Sequence, residues 1–371
     1  MPHPIHPYED DDLDDLPTPP PVHYAEQSLL GALLLDPHQL AALTALEAGH
    51  FSNHTHGALF AAMRTVPPPD PETHRTNPAW LITVLDAARP EAPGLTASYL
   101  HTLTQVCPWP KHAATYARMI RADHARRMLR MHAERLAQTA TDPTLPNPAA
   151  ATLTQADTLG RFLEELSGQF APHPSSLPRT VLPETPPRDS GEEALEEERL
   201  LLATATAHPA DLKDMRWLLP EDFTLPLHAA LWQCLTSLVH RGDPVDPINV
   251  LWEAQHRGLL ADAITPNDLM ALISTPVGSP EHWGEKVLQR ALLTRAHTIA
   301  TRITTYTEDP TNTPHQLITG SRRALADLTA LRTRWQPTTT QSTATRTART
   351  PATSRAGPPP RTTAPAARSH R

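Results

Sequence analysis

AEQSLLGALLLDP, residues 25–37, has a partner far downstream in EERLLLATATAHP, residues 197–209. Glu26 falls on Glu198, Leu29 on Leu201, Leu30 on Leu202 and Pro37 on Pro209, all at an offset of 172 residues. The same offset continues without a gap: Phe51 meets Phe223, His56 meets His228, Leu59 meets Leu231 and Phe60 meets Trp232. Later it changes to 167, where Tyr116 meets Trp283, Ile120 meets Val287, and TDPT at 141–144 meets EDPT at 308–311. Loops of unequal length account for the change. The repeat covers residues 22–170 and 192–335. A unit of that size makes the chain a tandem domain duplication and not a solenoid of short repeats.

Both copies read as helical. Leu29, Leu30, Leu33 and Leu34 line one face of a helix that Asp36-Pro37 stops. Leu59, Phe60 and Met63 share a face between Gly57 and Val66, and Leu231, Trp232, Leu235 and Leu238 share one between Leu227 and His240. The second of these ends on Arg241-Gly242, a basic last turn before a glycine in the helix-terminating position. Ser279-Pro280-Glu281 offers a cap, a first-turn proline and an acid, opening a long helix to about Tyr306. Residues 111–140 form its partner, and after each Asp-Pro break a further helix follows, near 152–168 and 314–334. Alternating β-branched runs are scarce. The expected fold is all-α: two tandem small helical bundles, each followed by a long helical hairpin, with disordered termini.

The flanking segments differ from the repeats. Residues 1–21 form an acidic arm containing EDDDLDD at 9–15, and residues 171–191 read as a Pro-rich, semi-extended linker. The tail at 336–371 carries Arg346, Arg349, Arg355, Arg361, Arg368 and Arg371 with no acid. EEALEEE, at 192–198, reads as the solvated acidic first turn of a helix. The two cysteines, Cys107 and Cys234, suit a reducing compartment, and no apolar run approaches membrane-spanning length. With no basic and apolar leader at the N-terminus, a soluble cytoplasmic protein is expected.

These residues resemble a known family. AEQSLLGALLLDP, then an aromatic and a histidine from Phe51 to His56, then a long helix of the TYARMIR type, is similar to the N-terminal domain of DnaB-type replicative DNA helicases. The first copy carries the fuller signature in Glu26, Gln27, Leu30, Gly31, Phe51, His56, Phe60 and Tyr116. The second keeps Asp222, Phe223, His228, Trp232 and Trp283, in LLPEDFTLPLHAALWQCL (218–235) and beyond. The resemblance implies a domain that serves ring assembly and the interface with primase, with the hairpins of neighbouring subunits packed in pairs. It implies primase or a replicative helicase, or both, as partner. It also implies an intramolecular pseudo-dimer or a homo-oligomer.

The family's motor is not visible in the sequence. A RecA-like domain needs a phosphate loop ending in Gly-Lys, and none of the 13 glycines is followed by lysine. A non-catalytic replication protein without cofactors is therefore expected, with no ATPase or helicase activity from this chain alone. Two other readings stand beside it: a DNA-binding accessory protein, and a helicase component that needs a separate ATPase chain. For the first of these the candidate phosphate contacts are Arg126, Arg127 and Arg130, in RMIRADHARRMLRMHAERL (118–136), together with the six tail arginines.

HFSNHTHG, at 50–57, has the look of a metal site. On the repeat, however, His50 lies on Asp222, His54 on Pro226 and His56 on His228. Proline has no side-chain ligand atom, so the shared histidine is expected to be structural, with its ring bonded to backbone at a helix entrance. Glu26 is expected to act as an early-turn acid favoured by the helix dipole.

Overall fold

The computed structural model describes residues 18–170, 176–182, 191–260 and 264–348, with 336–348 described as backbone alone. Among them there are thirteen α-helices and no strand. The first copy runs α1 (Pro21–Leu35), α2 (His54–Thr65), α3 (Pro71–Thr76), α4 (Ala79–Ala88), α5 (Ala97–Val106), α6 (Ala113–Thr141) and α7 (Pro148–Gln169). The second runs α8 (Glu192–Ala207), α9 (Pro226–Arg241), α10 (Pro247–His256), α11 (Pro266–Leu272), α12 (Pro280–Glu308) and α13 (Pro314–Ala348).

Helix boundaries follow local chemistry. Asn53 caps α2 by accepting from the N–H groups of Thr55 and His56. Asp246 and Pro247 open α10 as cap and first-turn proline. Gly242 ends α9 at φ 77°, and Asp243 N–H then reaches back to Leu238 O at 3.0 Å. The hairpin helices are longer than the sequence reading set them: α7 begins at Pro148, and α13 continues past Trp335 as helical backbone to Ala348.

The chain divides into two compact units, and the division cuts across the repeat. One unit comprises Met1–Pro186 with Leu293–Leu328; the other comprises Pro187–Leu292 with Thr329–Arg371. In the first unit Leu29, Leu30, Leu33 and Leu34 of α1 are almost fully buried against Leu59, Phe60, Leu103 and Ile120. Each such side chain contributes roughly 1.5–3 kcal/mol of burial. Gly31 sits where α1 meets α5, and a Cβ there would overlap the Leu103 carbonyl oxygen. In the second unit the core is built on Leu201, Leu202, Leu231, Trp232 and Leu235, closed by Leu331 of α13.

The first unit also holds the α6–α7 hairpin and, from the second copy's hairpin, Leu293–Leu328. Ala125 of α6, Leu166 of α7 and Ile318 of α13 form a shared apolar cluster flanked by Phe162 and Phe170. The second copy's hairpin therefore packs on the first copy's hairpin within one unit.

The close crossing at Gly31 yields a test. Gly31→Ala is expected to destabilise by about 1–3 kcal/mol, since backbone must move to admit the methyl group. Gly49→Ala, where a Cβ would meet nothing within 4 Å, is expected to change stability by under about 0.5 kcal/mol. Equilibrium urea unfolding of the two variants measures both.

Candidate functional site

Each copy is closed by a buried carboxylate–histidine pair. Ser52 N–H donates to Glu26 Oε1 at 2.5 Å, and His56 Nδ1 lies 2.7 Å from Glu26 Oε2. In the second copy Thr224 N–H donates to Glu198 Oε1 at 2.6 Å, and His228 Nδ1 lies 2.7 Å from Glu198 Oε2. The atoms match one for one at the 172-residue offset. A carboxylate only accepts, so Nδ1 carries the proton in both rings. In the first copy His56 Nε2 also meets Tyr99 OH at 2.7 Å.

This corrects two sequence expectations. The histidine ring bonds to a carboxylate and not to backbone. Glu26 is wholly buried well inside α1 and is no dipole-stabilised first-turn acid. Burial pushes the Glu26 carboxyl upward, but hydrogen bonds from His56 and Ser52 outweigh it, and the net displacement is downward. EEALEEE is likewise only partly a solvated turn. Glu197 and Glu198 are buried, the former paired with Arg290 and, at 3.6 Å, with Lys286.

Around each pair the signature residues pack as core. The Phe51 and Phe60 rings lie 5.2 Å apart, and those of Phe223 and Trp232 lie 5.7 Å apart. Tyr116 and Trp283, half-buried, rest on the two cores, and Leu30 and Gly31 are buried on α1. Gln27 is half-buried beside them.

His50 and Asp222 do the same job with different chemistry. Glu47 N–H donates to His50 Nδ1 at 3.1 Å, as Leu219 N–H donates to Asp222 Oδ2 at 2.8 Å. Arg127 donates to His50 O at 2.8 Å, whereas Arg334 makes a two-pronged bond to Asp222 at 2.5 and 2.9 Å. The three histidines of HFSNHTHG diverge: His54 is exposed, His56 faces Glu26, and His50 packs on His124 with ring centroids 4.5 Å apart. Among the described residues no three His, Cys, Asp or Glu side chains are grouped to hold a metal ion.

The arginines proposed as phosphate contacts have partners inside the protein. Arg126 donates to the carbonyl oxygens of Thr307, Asp309, Pro310 and Asn312 at 2.5–3.5 Å, capping the C-terminal end of α12. A guanidinium held by four backbone acceptors is not free to meet a phosphate, which corrects that assignment for Arg126. Arg127 also binds Asp123, and Arg130 binds Glu134 and, at 3.3 Å, Glu308. Arg346 lies in the part of α13 described as backbone; Arg349, Arg355, Arg361, Arg368 and Arg371 lie outside the described residues.

The hairpin pair is fastened further by Arg322, which binds Glu164 and Ser167. Linker residues join it as well. Thr180 donates to Asp309 at 2.7 Å, Asn312 Oδ1 accepts from Arg179 N–H at 3.0 Å, and Gln316 donates to Leu177 O at 3.1 Å. This stretch of the linker is docked and not a plain spacer. Sequence reasoning missed Tyr99, the capping role of Arg126, Arg322 and Arg334, whose partners lie far away along the chain.

The family model for the DnaB-like helicase N terminal domain matches residues 18–122 and 191–286, more than half of the chain. The protein therefore belongs to the DnaB-like helicase N-terminal domain family, and the two matched segments correspond to its two copies. No curated protein and no solved structure matches the chain. Both matched segments contain the Glu–His pair and end early in α6 and α12, before most of the hairpin pairing surface. Among the described residues no helix is long and apolar enough to cross a membrane.

Two outcomes follow from the pairs. His56→Ala or His228→Ala leaves a buried carboxylate without its partner and is expected to destabilise by about 3–5 kcal/mol in urea unfolding; a change under about 1 kcal/mol would show that water reaches the carboxylate. The second concerns acid. Burial, with His50 and Arg127 nearby, pushes His124 from 6.5 to about 4. The unfolded chain takes up this proton before the folded one does. His124 thus contributes stability above about 6.5 that is lost as the pH falls towards about 4. Glu26, also displaced downward, adds a loss as the pH falls through its lowered value. His124→Gln is expected to flatten the melting-temperature profile between pH 6.5 and 4.

Proposed function

We propose that this protein is a non-catalytic interaction module of DNA replication, which binds primase or a replicative helicase through DnaB-type N-terminal domains. The observation that carries this reading is the double family match on a chain whose sequence holds no Gly-Lys phosphate loop. The hairpin packing supports it. Ala125, Leu166 and Ile318 bury against one another, and Arg126 caps the opposing helix end, so the pairing surface of one copy is already covered by the other. Such a chain has no need of a second subunit to complete the pair. It would act as an adaptor or modulator on a helicase or primase.

DNA binding is the second reading. The residues that favour it are the tail arginines, which have no acid among them. Contact through such a tail would be sequence-tolerant and salt-dependent.

The direct test is a binding titration of the full chain against primase and replicative helicase from the same replication system. Saturable binding to at least one is expected, with no ATP hydrolysis by the chain alone. Binding to neither, or ATPase activity in the pure chain, would overturn the proposal. Truncation after Trp335, with DNA affinity followed against salt, separates the second reading. Lost DNA affinity with a shallower slope supports DNA binding by the tail; an unchanged slope removes it.

A further inference from the structure

The two copies treat one cleft in opposite ways. In the first, Arg64 near the end of α2 lies 5.9 Å from the Phe60 ring centroid and donates to Leu43 O at 3.4 Å and Leu46 O at 3.1 Å. At the 172-residue offset Arg64 becomes Thr236, and Phe60 becomes Trp232. Trp232 Nε1 donates to Leu218 O at 3.2 Å, and Leu218 is the counterpart of Leu46. Tryptophan thus supplies from the core the donor that arginine supplies from the edge. Thr236 is free to be small, and its hydroxyl turns onto its own helix at Trp232 O, 2.9 Å away. The space that Arg64 fills in the first copy is open in the second, as a cleft of about 800 Å³ between the 212–220 segment and α9.

The lining indicates what the cleft would take. Buried Leu218 and Trp232 lie on its apolar side. Lys213, Arg216, His240 and Arg241 also line it, and no Asp or Glu does. Arg241 is held by Asp243 and Glu253 at 2.7 and 2.8 Å. Lys213 and Arg216 are exposed, and neither has an ion-pair partner among the described residues. An arginine from outside would therefore meet positive charge and a carbonyl already satisfied. An acidic group meets two unpaired cations. The size suits an aromatic or large aliphatic side chain with flanking backbone.

We propose that this cleft docks an acidic peptide segment of a partner protein, with one apolar side chain inside and carboxylates on Lys213 and Arg216. The proposal rests on the interaction reading above and adds to it the chemistry of the recognised segment. Charge complementarity sets orientation and encounter rate, and the apolar anchor sets residence time.

The test is fluorescence anisotropy of the full chain with a labelled synthetic peptide of aspartates around one phenylalanine. Saturable binding is expected, weakened more than about tenfold by Thr236→Arg, which puts a long side chain into the cleft at the position that Arg64 holds in the first copy. The double variant Lys213→Glu, Arg216→Glu changes only exposed positions. It is expected to weaken binding similarly with an unchanged circular dichroism spectrum, which keeps the test decisive if Thr236→Arg perturbs folding. Replacing the peptide's phenylalanine by alanine is expected to weaken binding as well. No saturable binding, or binding that the double variant leaves intact, would overturn the proposal. So would an oligothymidylate that binds where the peptide does not, because the cleft would then be a nucleic-acid site. The probe is synthetic, so its failure refutes the cleft and leaves the primase and helicase titration standing. Failure of that titration with peptide binding retained refutes the replication partner instead.

Discussion

A carboxylate buried beside a histidine sets the terms for each copy. Glu26 and Glu198 are removed from water, where an unpaired charge is costly by several kcal/mol. The penalty is offset only when both carboxylate oxygens find donors, and the donors come from one place. One is the backbone N–H after Phe51 or Phe223; the other is the histidine in the first turn of the next helix. A slip of α1 or α8 by one residue would rotate the acid away from both donors and leave it uncompensated. The pair therefore fixes the register of these helices, and the leucine face beside the acid is aimed at the core as a consequence. Packing alone is less selective, since an apolar face tolerates small rotations that a two-donor carboxylate does not.

How far this was legible depends on the range over which the physics acts. Helix ends such as Gly242 and Pro280 are set by neighbours in sequence, and the residues there declare them. The duplication was legible because both members of each pair recur at one offset. The pairing itself was not. Glu26 and His56 are thirty residues apart, and no local rule says that they meet. Local rules alone therefore point Glu26 to a helix dipole and His56 to backbone. Arg126 was harder still. On α6 it reads as one basic residue among several, and only the hairpin packing brings the end of α12 to it. A surface arginine and a capping arginine are identical in sequence; they differ in whether unsatisfied carbonyls lie within reach.

Those carbonyls explain why the hairpins hold together. The last turn of any helix leaves acceptors without intrahelical partners, and α12 ends at Glu308, within reach of Arg126 on α6. Arg126 satisfies that end from the opposing copy, while Asn312 and Asp309 bind linker residues 179 and 180. The linker thus contributes contacts as well as connection. Because both copies are on one chain, the association is intramolecular, and a modest interface suffices at the effective concentration that a short connection provides.

Duplication around a fixed clamp also shows how a domain surface can change without loss of the core. Buried acceptors must keep donors, so single replacements near them are penalised by about 1–3 kcal/mol, and paired replacements are not. Arg127 on the backbone oxygen of His50 in one copy is answered by Arg334 on the carboxylate of Asp222 in the other, a change of acceptor as well as of donor. Phe60 with Arg64 answers to Trp232 with Thr236, and the carbonyl between them keeps a donor throughout. The second exchange has a geometric by-product that the first does not. Moving the donor from an edge side chain to a core ring empties the edge, and with Lys213 and Arg216 beside it the vacated space carries unneutralised positive charge. The difference between the copies therefore lies in which side chain satisfies a shared backbone oxygen, and the character of the exposed surface follows from that choice.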